Sequence, residues 1–108
     1  MANWNIFMKD FGLITPLQFA TLSLVENESL EGPELRKRLK SKFGYNAGRA
    51  TYYEMLGRLK NDSLMEGSYC LSETRGQIVR AKIYSATEKG KNEMKRARDF
   101  YKSVDKID

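Results

Sequence analysis

The spacing of apolar residues changes twice along this chain, and that limits its possible folds more than any other feature. Up to about residue 61 the apolar positions recur every three or four residues. From Leu64 to Ala86 they alternate, and from Thr87 helical spacing returns. A helical block, a paired β block and a closing helix are expected, in that order. No run of 18 apolar residues is present, so no membrane-spanning helix and no membrane partner are expected.

Capping chemistry marks the boundaries. Thr15-Pro16-Leu17-Gln18 opens the first helix: Thr15 caps, Pro16 suits the first helical position and Gln18 completes a capping box. Leu17, Ala20, Thr21 and Leu24 form its stripe, widened by Phe19, Leu22 and Val25, and Glu26-Asn27-Glu28 ends it. Pro33 opens a second helix whose narrow seam is Leu35 and Leu39, with Arg36, Lys37, Arg38 and Lys40 around it. After the break at Phe43-Gly44-Tyr45-Asn46, a third helix runs to about Asn61, with Asn46 as the expected N-cap and Tyr52, Met55, Leu56 and Leu59 toward the core. Leu64–Leu71 and Ile78–Ala86 read as strands joined by a polar turn at 73–77. Thr87-Glu88-Lys89-Gly90 starts the last helix, in which Met94, Ala97, Tyr101 and Val104 step by three, four and three.

At 108 residues the chain is one domain. The segment before residue 11 has no basic region followed by an apolar one, so no secretory signal is read there. The single cysteine, Cys70, has no partner for an internal disulfide, reads as a small apolar filler, and fits a cytoplasmic setting. Histidine is absent, which removes Ser-His and Cys-His nucleophile pairs and histidine-based zinc sites. No phosphate-cradling glycine loop is present either. No enzyme, no cofactor and no metal are expected.

Charge separates a binding surface from the remainder. The net +5 is uneven: residues 1–33 carry −3, whereas residues 34–60 hold eight cations against Glu34 and Glu54, a net of +6. Cations concentrated on one supersecondary unit suit a polyanion. Helix, short basic helix, helix, hairpin, helix is the order of a winged helix-turn-helix. The second helix of such a unit crosses the DNA backbone, the third enters the major groove, and the hairpin is the wing. The fold class is thus mainly α with a small β-hairpin wing, a winged helix-turn-helix followed by a C-terminal dimerisation helix.

Three stretches carry a resemblance to a known family. They are Leu22-Ser23-Leu24-Val25, the run Arg49-Ala50-Thr51-Tyr52-Tyr53-Glu54-Met55-Leu56-Gly57-Arg58-Leu59-Lys60, and Lys82-Ile83-Tyr84-Ser85-Ala86-Thr87-Glu88-Lys89-Gly90. In this order the chain resembles the PadR-like family of bacterial transcription regulators over roughly residues 13–104. The resemblance implies a dimeric repressor of the winged-helix class. The chain departs from the family's pattern at Ser63, where glycine is usual, and at Ala81, where arginine is usual.

The expected division is an aromatic, dimer-supporting segment at 1–12, the winged helix-turn-helix at 13–86, the dimerisation helix at 87–104 and a tail at 105–108. Expected DNA-contacting residues are Lys37, Lys40 and Lys42 on phosphates, Arg49 on phosphate or a guanine edge, and Arg75 and Gln77 at the wing tip. Asn46 either caps the third helix or touches DNA, and Tyr53 either packs on a sugar or thymine methyl or covers the second helix. Tyr52 belongs to the core. The seam of Met94, Ala97, Tyr101 and Val104 reads as domain core or dimer contact. Dimerisation is preferred because a helix after the wing has little of its own domain to cover. Trp4, Phe7 and Phe11 extend that interface, and together with Phe100 and Tyr101 they leave room for a small aromatic ligand acting as inducer. The partners are therefore double-stranded DNA, a second copy of the chain, and such a ligand. The competing reading keeps the fold but uses the third helix or the wing on a protein partner.

Overall fold

A computed structural model describes residues 12–106. Four helices, α1 (Pro16–Leu24), α2 (Gly32–Phe43), α3 (Arg49–Asn61) and α4 (Glu88–Asp105), surround strands β1 (Leu30–Glu31), β2 (Met65–Thr74) and β3 (Gln77–Ala86). The strands form one antiparallel sheet in the order β1-β3-β2. No helix among the described residues is long and apolar enough to cross a membrane.

The expected capping box is present. The Gln18 N–H donates to Thr15 Oγ1 at 3.2 Å, and the Thr15 N–H donates to Gln18 Oε1 at 2.9 Å. Helix α2 starts with Pro33 in its first turn and ends at Gly44, whose φ of 71° closes the helix through its N–H to the Lys40 carbonyl. At the N-terminus of α3 the structure departs from the sequence reading. The cap is Gly48 and not Asn46, which lies exposed in the preceding turn. At its other end Ser63 takes the left-handed φ of 60°, so the conformation glycine would favour is kept by a serine, at about 1–2 kcal/mol.

The core gathers the seams read from the sequence. Leu22, Leu35, Leu39, Tyr52, Leu56 and Leu59 are almost wholly inaccessible, and Val25, Leu64, Met65 and Tyr84 close around them. Tyr52 does more than fill space. Its hydroxyl donates to the Gly32 carbonyl at 2.6 Å, fastening α3 to the start of α2, and burial raises its pKa well above the ordinary tyrosine value. Tyr52→Phe leaves that carbonyl without its partner. The variant should lose about 1–2 kcal/mol, seen as a lower urea midpoint at unchanged slope.

Two corrections concern the β block. The hairpin is longer than expected: Thr74 pairs with Gln77, leaving only Arg75 and Gly76 in the turn, both at positive φ (52° and 78°). Gln77 is therefore a strand residue. The sheet also gains β1, since Leu30 and Glu31 pair with Tyr84 and Ile83.

The last correction concerns α4. Met94 and Ala97 are 0% and 1% exposed within the single chain, so they belong to its own core and not to a face free for a second copy. The reason lies in the junction before the helix. The Thr87 N–H donates to the Leu64 carbonyl at 3.1 Å, and its hydroxyl donates to the Ser63 carbonyl at 2.6 Å while accepting from the Gly90 N–H. These bonds turn α4 back across α1. Arg98 then grips Glu26 with two bonds of 2.8 and 3.1 Å, a contact that holds the Glu26 carboxyl below its usual range. Only the later part of the seam, Tyr101 and Val104, stays open, at 44% and 45% exposure. Trp4, Phe7 and Phe11 lie outside the described residues.

Candidate nucleic-acid interface

Helices α2 and α3 and the turn between them enclose an open groove of about 490 Å³. It is lined by Pro33, Arg36, Lys37, Lys40, Tyr45, Asn46, Ala47, Arg49 and Tyr53. Five of the eight residues expected from sequence to touch DNA thus share one concave surface: Lys37, Lys40, Asn46, Arg49 and Tyr53. Lys42 lies outside the groove lining, and Arg75 and Gln77 sit at the far end of the hairpin.

The local structure explains this arrangement. The narrow apolar seam of α2 is consumed by the core, so Lys37 and Lys40 point away from it and are exposed. Arg36 is anchored, donating to the Ala47 carbonyl at 2.9 Å, and this bond fixes the turn against α2. Arg49 occupies the first position of α3, exposed, with its guanidinium 5.8 Å from the Tyr53 ring centroid. Tyr53 is half-buried, edge-on to Tyr52, and a Cβ on Gly32 would come within 3.0 Å of its hydroxyl. Tyr53 therefore covers the start of α2 while presenting one edge to the groove.

Not every cation of the basic segment is free. Arg38 pairs with both Glu28 and Glu34, which raise its pKa, and Arg58 bonds Glu54 at 2.7 Å. Among the described residues, Lys37, Lys40, Lys42 and Arg49 have no carboxylate partner. Within residues 34–60, Arg36 and Lys60 likewise have none. At the wing tip, Arg75 holds a backbone conformation that favours glycine or asparagine. Nearby Leu71 and Ile78 are 78% and 74% exposed.

This geometry meets a family pattern: the model of the transcriptional regulator PadR-like family matches residues 21–96. The chain belongs to the PadR-like family. Its matched residues run from α1 through the wing into the first half of α4, and so include the whole groove and the wing. No curated protein matches it. Among solved structures, the chain is similar to a PadR family transcription regulator from hypervirulent Clostridium difficile R20291, with a TM-score of 0.72 and 20% identity over 86% of this chain and 94% of that one. A PadR-like transcriptional regulator from Bacillus cereus is similar at a TM-score of 0.70 and 21% identity, covering 92% of this chain and 88% of that one. Bacillus subtilis PadR in complex with operator DNA matches at 0.62 and 23% identity, over 75% of this chain and 45% of that protein. At these identities the likeness establishes the PadR-like winged-helix fold.

Sequence reasoning did not bring together three further cations, of which Arg80 and Lys82 line a hollow that adjoins the groove. Lys60 lies in the last turn of α3, and Arg80 and Lys82 sit on β3. The sequence pattern places them on separate elements about 20 residues apart. Alternation along β3 was legible, yet the buried members are Tyr84 and Ala86, so the face carrying Arg80 and Lys82 is the one turned to α2 and α3.

Proposed function

We propose that this PadR-like regulator is a sequence-specific, dimeric, DNA-binding repressor that acts by occupying a promoter and performs no chemistry of its own. The observation that carries this reading is the groove, which collects Lys37, Lys40, Asn46, Arg49 and Tyr53 on one uncompensated basic surface of α2 and α3. In this reading α3 enters the major groove, with Arg49 on a base edge or its phosphate. Lys37, Lys40 and Lys42 hold the backbone, and Arg75 and Gln77 at the tip reach the minor groove or flanking phosphates. A structure of one relative, Bacillus subtilis PadR, contains operator DNA, which supports DNA as the partner. The cytoplasm is the corresponding setting.

Arg49→Ala tests the reading. If Arg49 reads a base, affinity for a duplex from the DNA upstream of its own gene should weaken by about 1–3 kcal/mol, with little change on a scrambled duplex. If it holds a phosphate, both should weaken alike. An unchanged affinity on both removes Arg49 from the interface.

For the dimer, the winged-helix unit at 13–86 would touch DNA, and the C-terminal part of α4 would join two copies through Tyr101 and Val104. Beside Tyr101 an apolar groove of about 300 Å³ is lined by Ile14, Pro16, Phe19, Ala20, Ser23 and Phe43. That groove is where Trp4, Phe7 and Phe11 of a second copy, or a small aromatic inducer, would find apolar surface. Lysine at both Tyr101 and Val104 should yield monomers in sedimentation with the fold intact, since both positions are about half exposed. A variant that stays fully dimeric places the interface elsewhere. A charge at Ala97 would be a poorer probe, because that side chain lies inside the protomer.

A further inference from the structure

We propose that Arg36 is a positioning residue for sequence recognition: it brackets the turn to α2 and thereby sets where Arg49 meets a base. The inference rests on the DNA-binding reading above, with Arg49 on a base edge. The first turn of α3 has little else to hold it. Arg49, Ala50 and Thr51 are exposed, and the first side chain of α3 to enter the core is that of Tyr52. The N-cap, Gly48, makes no side-chain bond to that turn. Upstream, the Gly44 and Tyr45 N–H groups are tied back to the Lys40 and Leu39 carbonyls at 3.0 and 3.2 Å. Beyond Tyr45 the chain leaves α2. Among the described residues, the 2.9 Å bond from Arg36 to the Ala47 carbonyl is the one hydrogen bond that Asn46 or Ala47 makes.

Arg36 suits this task by chemistry and by place. It is half-buried in the second turn of α2, with its guanidinium carbon 5.9 Å from the centroid of the buried Tyr52 ring. Among the described residues no carboxylate pairs with it. A guanidinium carries its five N–H donors in a rigid planar fork, so one donor on a carbonyl fixes the direction of the whole group. Tyr52 is itself fastened to the Gly32 carbonyl, which makes the start of α2, Tyr52 and Arg36 one frame against which the turn is set. Only Gly48 separates Ala47 from Arg49, so a shift of the Ala47 carbonyl is passed to the start of α3. A guanine edge is read by paired donors whose geometry fails after a displacement of about 1 Å. A phosphate presents several oxygens and accepts such a shift, so the loss falls on sequence preference.

The test is a double-mutant cycle of Arg36→Gln with Arg49→Ala, titrated on the upstream duplex and on a scrambled one. Arg36→Gln alone should cut affinity for the upstream duplex roughly 5–20-fold, and for the scrambled duplex by less than about threefold. In the Arg49→Ala background the same change should cost less than about threefold on both, because the residue through which Arg36 acts is gone. Amide exchange of the free protein gives a reading independent of DNA. The Tyr52 N–H, which closes the first turn of α3 on the Gly48 carbonyl at 3.0 Å, should exchange roughly 5–10-fold faster in Arg36→Gln. Leu56 and Leu59 should keep their protection, which also shows that the variant is folded. Equal losses on the two duplexes, or losses that simply add to those of Arg49→Ala, overturn the positioning role and leave the DNA reading standing. Unchanged exchange at Tyr52 does the same. Arg49→Ala without effect on either duplex overturns the bracket and the reading of Arg49 together.

Discussion

Gly90→Ala should cost about 3 kcal/mol, although alanine ordinarily stabilises a helix relative to glycine by roughly 1 kcal/mol. Gly90 lies in the first turn of α4, where a Cβ would stand 2.1 Å from the Leu64 carbonyl oxygen and 3.1 Å from its carbon. Those atoms are backbone at the junction of α3 and β2, and that same oxygen accepts the Thr87 N–H. No rotamer change relieves the overlap. Either α4 shifts away from Leu64, uncovering Met94, or the Thr87 bonds open. A loss of this size corresponds to a fall in melting temperature of about 10–20 °C for a domain of this length. Thermal and urea unfolding measure it. An alanine variant as stable as the parent would mean that α4 is seated differently.

Affinity for DNA should fall by about 10³–10⁵ between 50 and 200 mM salt, as expected when 6–10 phosphates are neutralised by the two copies together. The net +6 of residues 34–60 overstates what is available, because Arg38 and Arg58 are held by carboxylates. Arg36, Lys37, Lys40, Lys42, Arg49 and Lys60 remain without a carboxylate in each copy, enough to supply most of the contacts if the wing adds its share. Replacing Lys37, Lys40 and Lys42 with glutamine should reduce the slope while leaving sequence preference nearly intact, because phosphate contacts position the protein and do not read bases. Titrations of wild type and variant on specific and scrambled duplexes decide it. A shallow slope insensitive to the triple change would transfer the groove to a protein partner.

Much of this protein is legible in its sequence. Thr15 with Gln18, and Thr87 before Gly90, announce helix starts because capping is a contact between residues three apart. Leu35 with Leu39, and Tyr52 with Leu56 and Leu59, show their buried faces by spacing alone. The change of period at Leu64 sets the order of elements, and the cations of 34–60 mark which unit is basic. All of these are local properties. What the sequence leaves open is decided by partners distant along the chain. The sequence points to Asn46 as the cap of α3, and the turn, with Arg36 bonded to the Ala47 carbonyl, places Gly48 there instead. An apolar seam on α4 reads the same whether it meets its own core or another chain. Only the anchoring of Thr87 at Ser63 and Leu64 turns Met94 and Ala97 inward and leaves Tyr101 and Val104 outside. The two residues of β1 become a strand solely by pairing with Ile83 and Tyr84. Lys60 feels the like charge of Lys82 because the hairpin folds back over the end of α3, and Coulomb repulsion depends on distance in space, not on separation along the chain.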